Sequence, residues 1–134
     1  MKNRRTLALL VASAAIVALP AAGQAETLQE RDSARFAKLL EGREAGEPTN
    51  CIWMPKVGTH MQTFHGTALV FGRGKTVYVN YTQDPAAIDR GDTIVFSRFG
   101  SNLCDSDTAT TVDAASGTYT GNVMLTKFIP YTRK

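Results

Sequence analysis

The chain has 134 residues, of which 43% are hydrophobic and 20% are charged, and its formal net charge is +3. This length suits one domain, and this composition is typical of a soluble globular chain rather than a low-complexity one. The two cysteines are too few for a disulfide-dense toxin, and the sequence contains no run of 18 apolar residues that would predict a membrane-spanning helix.

The first 25 residues have the pattern of a secretory signal peptide. Three basic residues near the start precede a largely apolar stretch of 13 residues, Leu7 to Leu19, which is too short to span a bilayer. Gly23 and Ala25 supply small residues at the −3 and −1 positions of a cut before Glu26. An uncleaved N-terminal anchor is the alternative interpretation.

Removal of this segment changes the charge balance. It takes away three of the 15 basic residues and none of the 12 acidic residues, so residues 26–134 carry equal numbers of both. A basic surface for nucleic acid or anionic lipid is then no longer implied, because the excess of positive charge belongs to the signal.

Cys51 and Cys104 both lie in the exported part. Since an exported chain meets an oxidising compartment, we predict that they form a disulfide with a Cα separation of about 4.4–6.8 Å. The bond would close a loop of about 54 residues, stabilise the fold by roughly 4 kcal/mol, and join the first predicted strand to the loop after the fourth. A metal site and a reactive thiol are the competing interpretations.

Residues 26–47 are predicted to form a helix and a polar connector. Thr27 and Glu30 have the spacing of a capping box, and Gly42 or Gly46 can end the helix in a left-handed conformation. From residue 51 onward, short runs of β-branched and aromatic residues predict strands, with a tight hairpin at 72–74. The predicted strands are Cys51–Met54, Thr67–Phe71, Thr76–Tyr81, Thr93–Phe99, Ala109–Val112 and Tyr119–Phe128.

These elements predict a mainly β protein: a small antiparallel β-barrel or sandwich of about six strands with one N-terminal helix. The expected organisation is a signal peptide at 1–25, a helix and connector at 26–47, and a β domain at 48–134.

His60 and His65 are the only histidines in the sequence. Five positions apart on a strand, they would point to opposite faces, and no further histidine, cysteine or paired carboxylate stands nearby in the sequence to complete a zinc site. We therefore expect surface or turn histidines, no metal and no cofactor. We also expect their joint replacement by alanine to be nearly neutral for stability, while a turn at 60–65 would keep metal binding open.

The sequence has no Gly-x-Ser-x-Gly elbow and no other catalytic motif that we recognise, so no catalytic residue is assigned. Aromatic side chains are the better candidates for ligand contact, because they can stack on a ligand on the face of a small β domain. Trp53, Tyr78 and Tyr81 are the candidates, and core packing is the alternative role for each of them.

The segment Phe99-Gly100-Ser101-Asn102-Leu103-Cys104-Asp105-Ser106-Asp107, with Asn50-Cys51-Ile52 before it and Phe128-Ile129-Pro130-Tyr131 after it, resembles a family of small exported Gram-negative proteins of unknown function. The resemblance covers nearly all of residues 36–134 and is most specific at Phe-Gly-Ser-x-Leu-Cys-x-x-Asp. It implies export and a small β fold, and it implies no catalytic residue.

The sequence as a whole favours a periplasmic or secreted, non-enzymatic binding module. The expected partner is an envelope protein, a glycan or a small ligand, without nucleic-acid binding and without a membrane span. The alternative is a small envelope hydrolase or metal-dependent enzyme that uses His60 or His65. A histidine at the floor of an apolar cleft would favour the enzyme.

We predict that the natively expressed protein lacks residues 1–25, because the charged start, the short apolar stretch and Ala25 together specify cleavage before Glu26. Intact mass spectrometry of the protein from its native host tests this expectation. A full-length chain recovered from the cytoplasm would contradict it.

Overall fold

The computed structural model describes residues 25–88 and 91–134, so the predicted signal peptide lies outside the described residues except for Ala25. In these residues, helix α1 (Leu28–Leu40), the single-turn helix α2 (Met54–Val57) and a 3₁₀ turn (Pro85–Ala87) accompany ten strands. Strands β1 to β10 are, in chain order, Arg43–Ala45, Cys51–Trp53, Met61–Phe64, Ala68–Phe71, Thr76–Asn80, Asp92–Ser97, Asn102–Cys104, Thr108–Asp113, Tyr119–Val123 and Ile129–Arg133. No helix in this part of the chain is long and apolar enough to cross a membrane.

The strands pair in antiparallel fashion and form three sheets. The largest has five strands in the order β1–β10–β5–β4–β3, the second joins β2 to β7, and the third has the order β6–β8–β9. The predicted mainly β fold with an N-terminal helix is confirmed. Of the two predicted architectures, the sandwich-like one is correct, because the described strands leave the large sheet open at β1 and β3.

Both faces of the large sheet are covered. On one face, α1 inserts Phe36 against a cluster formed by Phe64, Ala68, Val70, Val77 and Val79. On the other face, residues of β4 pack against the two smaller sheets and the chain that follows β9, in a cluster that includes Ile52, Leu69, Phe71, Leu103, Val123, Leu125 and Phe128. The core is therefore divided into two layers by the sheet itself.

Helix α1 begins as the sequence predicts. The amide of Glu30 donates to the hydroxyl of Thr27 at 3.2 Å, and the amide of Thr27 donates to the carboxylate of Glu30 at 2.6 Å, which completes the capping box. The helix ends before Gly42, whose φ of +72° suits glycine. The next three residues form β1 and pair with β10, so the predicted polar connector contains an edge strand of the large sheet.

The predicted disulfide between Cys51 and Cys104 is present. Its Cα separation of 4.0 Å is shorter than we expected, because the two cysteines are directly opposite each other on β2 and β7. The backbone amide of Asp105 donates to the carbonyl of Asn50 on one side of this pair, and the amide of Met54 donates to the carbonyl of Ser101 on the other. The cysteines therefore occupy a narrow, non-hydrogen-bonded position of the antiparallel ladder. Cys104 thus lies on a strand rather than in a loop.

Each of the six predicted strands overlaps an observed one, but four observed strands, β1, β3, β7 and β10, were not predicted. The last of these is unexpected, because β10 contains Pro130 and has a neighbour on each side. The carbonyl of Pro130 accepts from the amide of Gly46, so the ring nitrogen of Pro130 faces the same side as β1. β1 has already ended at Ala45, so no residue of that strand needs an amide donor from Pro130. The proline therefore interrupts no strand pairing.

The prediction of one long strand over 119–128 is wrong beyond Val123, and buried Asn80 explains why. The side-chain amide of Asn80 donates to the carbonyl of Thr126 at 2.6 Å, and its carbonyl oxygen accepts from the amides of Thr126 and Thr82, both at 3.0 Å. These bonds hold Thr126 against the end of β5, in the segment between β9 and β10. They also hold Thr82 at a φ of +51°, which β-branched residues rarely adopt.

We predict that Asn80→Ala lowers the free energy of unfolding by about 2–4 kcal/mol, because it leaves the backbone groups of two segments without their buried partner. Chemical denaturation of the oxidised protein measures this loss. Asn122→Ala, at an exposed position of β9, is the matched control and should change stability by less than about 0.5 kcal/mol. Equal stability of the two variants would contradict the role of Asn80.

Candidate functional site

Five cationic side chains line a cavity of about 520 Å³ between α1, β1, the β4–β5 hairpin and the end of β10. We call this cavity the basic groove. Its cationic lining consists of Arg35, Lys38, Arg43, Arg73 and Arg133. The rest of its lining is uncharged and consists of Leu39, Gln62, Gly72, Gly74 and Val77. No carboxylate belongs to the lining that the structure describes.

Local structure explains how distant residues converge on this groove. Arg35 and Lys38 are three positions apart on α1 and therefore lie on neighbouring turns of one side of the helix. Arg73 is at the tip of the β4–β5 hairpin, between Gly72 and Gly74, whose φ values of +84° and +95° permit the tight turn predicted at 72–74. Arg133 ends the ladder of β10, next to the hairpin.

Arg43 is half-buried and joins three of these elements. Its guanidinium donates to the carbonyl of Leu39 in the last turn of α1 at 3.0 Å, and to the carbonyls of Gly74 and Lys75 in the hairpin at 2.9 and 2.7 Å. A longer bond of 3.4 Å reaches Tyr131 in β10. Arg43 thus places a fixed positive charge beside the groove.

Most of these cations lack an acidic partner. Of the five, only Arg35 forms a salt bridge with another described residue, through Asp32. Arg43 and Arg133 are directly opposite each other on β1 and β10, an arrangement of like charges that destabilises a sheet. Burial, and then the charge of Arg133, lower the pKa of Arg43 below its ordinary value. The groove therefore holds unbalanced positive charge.

Asp32 links the helix to the β3–β4 turn and also holds Arg35. Its side chain is only 11% exposed. One carboxylate oxygen accepts from Nδ1 of His65 at 2.5 Å and from the His65 amide at 3.1 Å, and the other accepts from Arg35 at 2.9 Å. Burial alone would raise the pKa of Asp32, but the hydrogen bonds from His65 and Arg35 outweigh it and lower the pKa below its ordinary value.

The two histidines therefore differ. His60 is exposed, precedes β3 and accepts a hydrogen bond from the side-chain amide of Gln62 at 3.0 Å. His65 lies in a turn, as predicted, but it is partly buried and bonded to Asp32, which the sequence did not indicate. The expectation that His65 is nearly neutral for stability is therefore revised, because its removal leaves a buried carboxylate without a main partner.

Neither histidine lines the apolar cavity of about 260 Å³, whose lining is Met54, Thr59, Met61, Phe71, Ile94, Phe96, Arg98 and Leu103. His60 lies instead beside a more polar cavity that shares Arg73 with the basic groove. Among the described residues, no group of three or more histidine, cysteine or acidic side chains is arranged to hold a metal ion.

The three aromatic candidates for ligand contact are not brought together. Trp53 is 56% exposed on β2. Tyr78 lies on the face of the large sheet that packs against the smaller sheets, whereas Tyr81 packs against Phe36 under α1 and bonds to the hydroxyl of Tyr131 at 3.0 Å. Burial, and then the bond to Tyr131, raise the pKa of Tyr81. Contact of all three with a single small ligand is not supported by this arrangement.

No pattern in the sequence predicts the basic groove. Its cations come from four separate segments between residues 35 and 133 and form no motif. The equal numbers of acidic and basic residues in 26–134 also gave no reason to expect a basic surface. A net charge, however, contains no information on how the charges are distributed. Comparisons of the chain with protein-family models, curated proteins and solved structures gave no match.

We predict that Asp32→Asn destabilises the protein by roughly 1–3 kcal/mol at neutral pH, because it removes charge-assisted bonds to His65 and Arg35. The lowered pKa means that the carboxylate stabilises the fold above its ordinary pKa of 3.8 and that this stability is lost as the pH falls through the lower, folded-state value. The difference between wild type and variant should therefore shrink in acid.

Denaturation curves over a series from about pH 7 to pH 3 measure this difference. Asp84→Asn, which replaces an exposed carboxylate, is the matched control and should follow the wild type across the series. A parallel pH dependence of wild type and Asp32→Asn would contradict the role of Asp32.

Proposed function

We propose that this protein is an exported, non-enzymatic binding domain that holds an anionic component of the cell envelope in the basic groove. Export is supported by the signal-peptide pattern of residues 1–25 and by the disulfide between Cys51 and Cys104, a bond typical of oxidising compartments. We also propose membership in the family of small exported Gram-negative proteins that the segment 99–107 resembles.

The observation that carries the binding function is the convergence of five cations on one cavity without a carboxylate in its described lining. A volume of about 520 Å³ lies within the usual range of small-ligand sites, roughly 300–1,000 Å³. The groove is therefore suited to a small anion or to one anionic group of a larger molecule. Uncharged glycans and apolar peptides fit this lining poorly, because they would leave the cations without partners.

A small envelope hydrolase is the second candidate, and the Asp32–His65 pair is the observation that favours it. A carboxylate on Nδ1 of a histidine is the arrangement that orients a general base. However, no hydroxyl or thiol among the described residues is bonded to the other ring nitrogen, and the pair joins α1 to the β3–β4 turn. A large loss of stability in Asp32→Asn would indicate that the Asp32–His65 pair stabilises the fold rather than catalyses a reaction. Replacement of catalytic groups, by contrast, often leaves stability unchanged or increased.

We predict that the immobilised protein retains an anionic component from a detergent-solubilised envelope fraction of its native host, and that the double variant Arg73→Ala/Arg133→Ala does not. Both side chains belong to exposed residues of the groove, so their removal should leave the fold intact. Mass spectrometry together with phosphate, sulfate and uronic acid analysis of the eluate identifies what is retained.

The matched control is Arg31→Ala, which removes an exposed arginine of α1 outside the groove lining. It should retain the same component as the wild type. Equal retention by all three proteins, or retention of nothing by the wild type, would refute the groove as the binding surface.

A further inference from the structure

We propose that the chemical group recognised in the basic groove is a phosphate monoester, bound by the guanidinium groups of Arg35, Arg73 and Arg133 above the fixed charge of Arg43. This inference rests on the proposed function, since it names the class of ligand for the same site. The shared chemistry is the phosphate ester, whether it belongs to a soluble molecule or to a lipid headgroup.

The amount of positive charge in the groove favours a dianionic group. Lys38, Arg73 and Arg133 form no salt bridge with any described residue, and Arg43 has only neutral carbonyl oxygens as partners. A phosphate monoester carries about −1.5 to −2 charges at neutral pH, whereas a carboxylate or a phosphodiester carries one. A single dianionic group therefore neutralises more of the groove than any singly charged group of similar size.

The type of cationic side chain favours an oxyanion with several oxygens. Four of the five cations are arginines, whose planar guanidinium groups can each donate two parallel hydrogen bonds to the oxygens of one oxyanion. Arg35 is already oriented, because Asp32 accepts from one of its nitrogens at 2.9 Å and its Cζ lies 5.7 Å from the ring centre of Phe64. A side chain held in this way loses little conformational freedom on binding.

The position of Arg43 opposite Arg133 favours an anion that contacts both side chains. The like charges face the same side of β1 and β10 and repel each other, which is unfavourable in the free protein. Arg43 cannot move away, since its guanidinium bonds to the carbonyls of Leu39, Gly74 and Lys75. An oxyanion between the two guanidinium groups converts this repulsion into two attractive contacts.

The uncharged lining of the groove favours a ligand that also has a carbon-bearing part. Leu39 and Val77 give the groove an apolar wall next to its charges, while Gly72 and Gly74 add no side chain to it. An ester has a carbon-bearing part that can lie on this wall, whereas free inorganic phosphate has none. We therefore expect esters to bind more tightly than inorganic phosphate.

Calorimetric titration of the purified protein tests the inference with three soluble probes: inorganic phosphate, glucose phosphate, and glucuronate as the carboxylate analogue of the same sugar. A fourth arm uses sedimentation with phosphatidylcholine vesicles that contain or lack phosphatidic acid. We expect glucose phosphate to bind at least about tenfold more tightly than glucuronate, and binding to weaken as salt is added.

Three variants separate the contributions of charge and geometry. Arg73→Ala/Arg133→Ala should weaken binding of the phosphate ester by about tenfold to a hundredfold, since it removes two sets of charge-assisted hydrogen bonds. Arg73→Lys/Arg133→Lys keeps both charges and loses the planar donors, so it should have an intermediate affinity. Arg31→Ala should bind like the wild type, and circular dichroism checks that each variant is folded.

Binding of glucose phosphate identifies a soluble ester as a sufficient ligand, and binding only to vesicles with phosphatidic acid identifies a lipid headgroup; either result supports the phosphate ester. Equal or tighter binding of glucuronate, or binding that the double alanine variant leaves unchanged, would overturn the inference. If no phosphate probe binds but the envelope fraction still yields a component that depends on Arg73 and Arg133, the proposed function stands and the phosphate assignment fails.

Discussion

Four consecutive residues of β4, Ala68 to Phe71, are each at most 1% exposed, so this strand needs cover on both of its faces. Side chains alternate along a strand, and here Leu69 and Phe71 face the smaller sheets while Ala68 and Val70 face α1. A sheet alone cannot meet this requirement. Helix α1 covers one face of β4, and the smaller sheets, which include the disulfide-linked pair β2–β7, cover the other. Helix α1 is therefore part of the core rather than an N-terminal attachment.

The position of α1 over the sheet also creates the basic groove. Its last turn ends beside the β4–β5 hairpin, and Arg43 satisfies carbonyl groups of both elements, including one at the helix C-terminus, where a cation is favoured. This contact gives Arg43 a structural reason to be charged. Among the described residues, the side chains of Lys38 and Arg73 have no salt bridge, so their charges remain available for the binding that we propose.

The capping box at Thr27 and the glycine hairpin at 72–74 were predictable because each depends on chemistry within a few residues, and the cysteine pair followed from the signal-peptide pattern. The elements that were not predicted depend on partners distant in sequence. β1 and β3 are edge strands of only three and four residues, and β10 contains Pro130 at a position where no amide is needed. The groove and the Asp32–His65 bond depend on the same distant packing, so no local pattern could reveal them.

Local charge and net charge have different consequences for binding. Residues 26–134 are neutral overall, so a distant anion experiences little attraction, since electrostatic interactions are screened beyond about 8 Å at physiological salt. Attraction begins only when an anionic group comes close to the groove, where several guanidinium groups act at once. The binding that we propose would therefore discriminate by contact within the groove rather than by attraction of polyanions to the whole surface.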